Sequence, residues 1–188
     1  YYGFNVKNEY YVNDAGNQIK EFGISILNQM PNIKLKNKIN SNEDSYKGAY
    51  ISDLAHSIQN EISNLEISEQ EIIGNVTKIG VQKMLDIIKK DLNNLNVNFD
   101  NWFHETQLFS DKTLDQVLKL LSDKKLILKQ DGATWFLSKK LGDERNNVLI
   151  KKDLSHTYFF SDIANHYNKF CIRKFDKVIN IWGADHQG

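Results

Sequence analysis

Residues 177–188 read Lys177-Val178-Ile179-Asn180-Ile181-Trp182-Gly183-Ala184-Asp185-His186-Gln187-Gly188. An apolar, β-branched run that closes on two small residues and then turns polar predicts a buried strand, over 177–182, reaching the carboxyl edge of a parallel sheet. Ligands of open α/β sheets sit outside such edges. Gly183 and Ala184 would let a flat base approach the backbone, and Asp185 could accept hydrogen bonds from ribose hydroxyls. The plainer alternative is a strand-to-helix turn with Asp185 as its N-cap.

Upstream lies Thr157-Tyr158-Phe159-Phe160-Ser161-Asp162-Ile163-Ala164. Helical spacing over 158–170 puts Tyr158 and Asp162, four apart, on one face. A carboxylate there can take a guanidinium side-on through two charge-assisted hydrogen bonds, with the tyrosine adding orientation. The alternative makes Asp162 a surface residue and Tyr158 a packing residue.

Near the start of the chain Gly3 fits a helix C-cap, and a strand is expected over 4–12. A turn follows at Asn13-Asp14-Ala15-Gly16-Asn17-Gln18, then Ile19, Phe22, Ile26 and Met30 recur at helical spacing. This turn should border the same crevice as Asp185, although tight-turn and capping chemistry explains Asp14 and Gly16 without a ligand. Strand, turn and helix in this order are the grammar of an α/β sheet.

Residues 31–45 are polar and lysine-rich and carry the single proline, Pro31, so a surface connection is expected. A helical insertion over about 46–95 follows. Leu54, Ile58 and Ile62 mark its first helix. Ser68-Glu69-Gln70-Glu71 has the spacing of a capping box before a longer one with Ile73, Val76, Gly80, Met84, Ile87 and Ile88 on one stripe. Residues 96–103 read as a strand, and Thr113-Leu114-Asp115-Gln116 as a second capping box. Short runs at 126–129, 133–138 and 148–150, divided by the hairpin dipeptide Asp131-Gly132 and by 142–147, predict an antiparallel meander over about 125–151.

The 188 residues, 40% hydrophobic and 26% charged, suit a globular chain with a substantial core. No apolar run approaches the roughly 18 residues of a membrane span, and the first residues lack signal-peptide character, so the expected compartment is the cytoplasm. The lone cysteine, Cys171, is expected to pack near a helix end. His56, His104, His156, His166 and His186 lack zinc-ligand spacing, and no protein-bound metal is expected. Net charge is zero, which does not suit a chain that holds nucleic acid by electrostatics alone. Lysines such as Lys34, Lys36 and Lys38, or Lys139 and Lys140, read as solvated surface. No Walker A loop, Gly-x-Gly-x-x-Gly or nucleophile triad is apparent.

Taken together and in order, Glu9-Tyr10-Tyr11-Val12-Asn13-Asp14-Ala15-Gly16-Asn17-Gln18-Ile19, Asp131-Gly132-Ala133-Thr134-Trp135-Phe136, Gly142-Asp143-Glu144, residues 157–164 and residues 182–188 resemble the class I arginyl-tRNA synthetases. The resemblance implies an α/β fold: an incomplete Rossmann-like parallel sheet with the helical insertion and the meander. It implies ATP as substrate, bringing Mg2+ with it, and L-arginine and an arginine-accepting tRNA as partners, in a monomer. It matches Tyr158, Asp162 and Asp185 to the arginine pocket, Gly183, Asp185 and His186 to the ATP site, and Asn13, Asp14 and Gln18 to the neighbourhood of the tRNA acceptor end.

The chain departs from that pattern. The His-x-Gly-His signature would precede Tyr1 and the Lys-Met-Ser-Lys-Ser-like loop would follow Gly188. A fragment without them is expected not to catalyse adenylation alone, and no catalytic residue is assigned within it. A truncated paralogue holding arginine, nucleotide or RNA without chemistry is the alternative, as is a nucleotide-binding α/β domain alike only in fold.

Overall fold

Strand β1 (Glu9–Val12) pairs in parallel with β2 (Asn101–His104), setting Tyr10 opposite Trp102 and Val12 opposite His104. The chain is described by a computed structural model over residues 3–30, 46–62 and 68–183. It divides into two compact units, Tyr1–His104 and Glu105–Gly188.

In the first unit, Gly16 (φ 83°) turns the chain from β1 into α1 (Asn17–Asn28). Helices α2 (Ala49–Ile62) and α3 (Glu69–Asn94) complete it. Their apolar stripes meet in one core containing Phe22, Ile26, Leu27, Ile51, Leu54, Ala55, Ile58, Ile62 and Val76. Two glycines allow α1 and α3 to approach closely. A Cβ on Gly23 would run into the Thr77 side chain, and one on Gly80 would stand 2.5 Å from Ile26 Cδ1. The capping box at α3 forms: the Glu71 N–H donates to Ser68 Oγ, and the Ser68 N–H donates to the Glu71 carboxylate at 2.9 Å. The two Ser68 donors hold the exposed Glu71 carboxyl below its ordinary range.

Both early strands are shorter than their composition suggests. Residues 3–8 carry no ladder, and Phe4 is 82% exposed, because pairing starts only where the Asn8 carbonyl receives the N–H groups of Asp100 and Asn101. β2 starts late because α3 runs on to Asn94 and the chain reverses at Asn96 (φ 56°). Phe99 then turns edge-on to Tyr10 and Trp102, which stack at 4.6 Å, and Lys89 Nζ lies 4.8 Å over the Trp102 ring.

The second unit opens with the short α4 (Gln107–Ser110) and α5 (Thr113–Asp123). The capping box expected at Thr113 does not form. Thr113 is already helical, and the Asp111 carboxylate takes its N–H at 3.0 Å, so the acceptor sits two residues earlier. β3 (Ile127–Gln130), β4 (Ala133–Phe136) and β5 (Asn147–Ile150) make the antiparallel sheet in that order. Asp131 (φ 53°) and Gly132 (φ 78°) supply the positive dihedrals of its first hairpin. Helix α6 (Tyr158–Tyr167) follows and continues as a π-helical turn, Asn168–Ile172.

Two expectations fail in this unit. Residues 177–183 form no assigned element, no strand pairs with them among the described residues, and Ile181 is 94% exposed. The apolar pattern is there, but among the described residues no ladder covers it. Cys171 is exposed rather than packed, because the π turn rotates it off the buried face of α6. Residues 31–45, with Lys34, Lys36 and Lys38, lie outside the described residues.

Candidate functional site

Thr157 fixes where α6 begins. Its Oγ1 accepts the Phe160 N–H at 3.3 Å and donates to the Val148 carbonyl at 2.8 Å, while its own N–H donates to Leu149 at 3.0 Å. The helix is therefore bolted to β5 at its first residue. Phe160, Ser161, Ala164 and Asn165 form its buried face. His156 packs edge-on to Phe160 at 5.4 Å, and burial pushes its imidazole below the ordinary value, against the opposing pull of Asp115.

With that face turned inward, Tyr158 and Asp162 emerge together on the other side, as their spacing predicted. Tyr158 is 58% exposed, and Asp162 is exposed as well. His166, one turn further along, continues the stripe. Its Nδ1 lies 2.8 Å from the Asp162 carbonyl, and its Nε2 lies 3.0 Å from Asn180 Nδ2. Gly183 ends the described part of the segment that carries Asn180, and it is exposed; Asp185 and His186 lie outside the described residues.

The first unit holds a separate group at the carboxyl ends of β1 and β2. The Asp14 N–H donates to the Val12 carbonyl at 3.0 Å, closing the turn. Its carboxylate meets His104 Nδ1 at 2.7 Å, with side-chain exposures of 13% for Asp14 and 35% for His104. Asn13 and Gln18 flank this pair and are exposed. Nearby, Tyr10, Tyr11, Phe22, Tyr50, Met84 and Ile88 line an apolar groove of about 510 Å³, which Asn13 also borders. Among the described residues, no group of three His, Cys, Asp or Glu is placed to hold a metal ion, and no helix is long and apolar enough to cross a membrane.

The family of class I tRNA synthetases for arginine, catalytic domain, matches residues 1–187. The chain belongs to that family. It is 42% identical over 188 residues to an arginine-tRNA ligase of Dehalococcoides mccartyi, covering 99% of this chain and 34% of that protein. An arginine-tRNA ligase of Bacillus cereus is 41% identical, with the same shares covered. A crystal structure from Campylobacter jejuni assigned as an arginyl-tRNA synthetase superposes with a TM-score of 0.84 at 37% identity, covering 99% of this chain and 40% of the other. Thermus thermophilus arginyl-tRNA synthetase shares the fold, with a TM-score of 0.57 at 19% identity over 87% of this chain and 29% of its own. The chain spans about a third, 34%, of the length of the curated relatives it matches.

Within this arginyl-tRNA synthetase fold, three polar residues escaped the sequence reading. His166 had a signal, since it falls four residues after Asp162 on one helical stripe. Asn180 was hidden inside an apolar run that read as strand interior. His104 had none, because its partner Asp14 lies ninety residues away (|i−j| = 90) and meets it only through the parallel register.

Proposed function

We propose that the chain is part of an arginine-tRNA ligase. The observation that carries this reading is 42% identity to arginine-tRNA ligases along 99% of the chain. The paired emergence of Tyr158 and Asp162 on α6 supports it. In the first step the carboxylate of L-arginine attacks the α-phosphate of ATP, forming arginyl-adenylate as the bond to pyrophosphate breaks. In the second, a ribose hydroxyl of the terminal adenosine of tRNA attacks the arginyl carbonyl, and AMP leaves. Neither step needs a nucleophilic side chain; positioning and charge stabilisation suffice.

Asp162 takes the substrate guanidinium as a bidentate fork, and Tyr158 orients it. Lysine, with a compact ammonium, makes no such fork and is rejected. Asp185 closes the arginine pocket and, with Gly183 and His186, meets the adenosine. Mg2+ arrives with ATP. Asn13, Asp14 and Gln18 serve the acceptor end of the tRNA, where the contact of Asp14 with His104 restrains its carboxylate. The protein works as a cytoplasmic monomer.

Asp162→Asn in the full-length protein tests the assignment. Loss of a charged bidentate partner costs about 2–4 kcal/mol, so kcat/KM for arginine should fall about 30- to 1000-fold with ATP kinetics nearly unchanged. Near-normal arginine kinetics would remove Asp162 from the pocket.

A further inference from the structure

We propose that His104 is a positioning residue for the transfer of arginine to tRNA: it holds the Asp14 carboxylate and, through it, the Asn13–Gln18 turn assigned to the acceptor end. This rests on the reading given under Proposed function. An ionised carboxylate only accepts, so the 2.7 Å contact puts a proton on His104 Nδ1, which donates to Asp14 Oδ2. The contact is charge-assisted. Asp14 keeps only 13% of its side-chain exposure, so its carboxylate depends on such donors to replace the hydration it has given up.

The parallel register places the donor. Val12 stands opposite His104, so the imidazole lies at the end of the ladder, level with the last residue before the turn. Tyr11 stacks on Phe103 one rung earlier, with ring centroids 6.0 Å apart and planes at 26°, and Tyr10 stacks on Trp102 at 4.6 Å. Side chains as well as backbone therefore hold the register that sets His104. Within the turn, the Asp14 N–H donates to the Val12 carbonyl at 3.0 Å, and Gly16, at φ 83°, is the N-cap of α1. Glycine there gives the turn its direction but no side-chain anchor; the Asp14 carboxylate supplies one from the neighbouring strand.

Asn13 and Gln18 stand exposed on either side of the anchored residue. In the proposed second step a ribose hydroxyl of the terminal adenosine has to meet the arginyl carbonyl at about 3–3.5 Å, so a turn that drifts by about an ångström costs rate. His104 acts through Asp14 and the turn and is assigned no contact with the reacting atoms. Loosening it therefore slows arginylation of tRNA while arginine activation persists.

The test uses His104→Phe, His104→Asn and Asp14→Ala in the full-length protein. Phenylalanine keeps a flat ring and removes both nitrogens, whereas asparagine carries an N–H donor two bonds from Cβ, as Nδ1 is in histidine. Amide exchange of residues 13–18, followed by mass spectrometry without substrates, should quicken about tenfold in His104→Phe, the scale of one hydrogen bond, with the α6 amides unchanged. His104→Asn should stay within about threefold of the parent. Asp14→Ala should quicken exchange too, but add less to His104→Phe than to the parent. Unchanged exchange in His104→Phe, failure of asparagine to restore protection, or additive effects would overturn the tie whatever the protein activates. Single-turnover arginylation of tRNA should fall about tenfold in His104→Phe and recover in His104→Asn. Arginine-dependent ATP–pyrophosphate exchange with tRNA present, and KM for arginine, should stay within about twofold. An equal fall in both reactions, or normal arginylation by a variant whose turn exchanges faster, would remove His104 from the transfer step. A parent protein that activates no arginine, while His104→Phe still loosens the turn, would remove the ligase reading and leave the tie standing.

Discussion

Replacing Thr157 with valine removes two hydrogen bonds from the start of α6 while keeping the side chain's shape. The lost interactions are the cap on the Phe160 N–H (3.3 Å) and the hydroxyl's single donation, shared between the Val148 carbonyl (2.8 Å) and the Leu149 carbonyl (3.2 Å). Loss of an N-cap costs about 0.5–2 kcal/mol and loss of a further intramolecular hydrogen bond about 0.5–1.5 kcal/mol. Together they come to about 2 kcal/mol, a factor of about thirty in a local opening equilibrium. Hydrogen exchange of the α6 amides in the full-length protein reads that quantity locally. Thr157→Val should exchange about thirtyfold faster over α6, whereas Thr157→Ser, which keeps acceptor and donor, should stay within about twofold of the parent. Tyr158 is the next residue, so arginine-dependent activity should weaken in the valine variant and persist in the serine one. Unchanged α6 protection in Thr157→Val would refute the claim that this side chain bolts the helix to β5.

Gly23→Ala should destabilise the first unit by about 1–3 kcal/mol despite alanine's higher helix propensity, because the new Cβ would run into the Thr77 side chain at its Cβ (2.9 Å) and crowd the Thr77 Cα (3.2 Å), which cannot swing away; a lower urea midpoint at constant slope checks it. Because burial depresses the His156 imidazole, the unfolded chain binds its proton more readily, so the stability this group contributes is present above its ordinary value of 6.5 and is lost as pH falls through the depressed folded value. The urea midpoint should accordingly drop on acidification below neutrality, and His156→Gln should flatten that part of the profile.

The features written into neighbouring residues were legible in the sequence. The Ser68–Glu71 box, the Asp131-Gly132 hairpin and the shared face of Tyr158 and Asp162 depend on spacings of a few residues, and each forms as its spacing requires. The N-terminus of α5 shows the limit of that logic, since Thr113 had the right pattern while Asp111 offered the nearer acceptor. Strand extent was harder to read because a strand ends where its partner does. Residues 4–8 and 177–182 carry β-type composition without a ladder among the described residues. Long-range pairs such as Asp14 with His104 were invisible for the same reason, being set by the register of β1 against β2.

The central claim is that arginine is activated with ATP by the protein that contains this chain. Exchange of labelled pyrophosphate into ATP by the full-length protein, with arginine or lysine and with its tRNA present, tests it most directly. Exchange that depends on arginine and is at least about a hundredfold weaker with lysine, the discrimination expected of a bidentate carboxylate, is the predicted result. Absence of arginine-dependent exchange, or equal exchange with lysine, would contradict it.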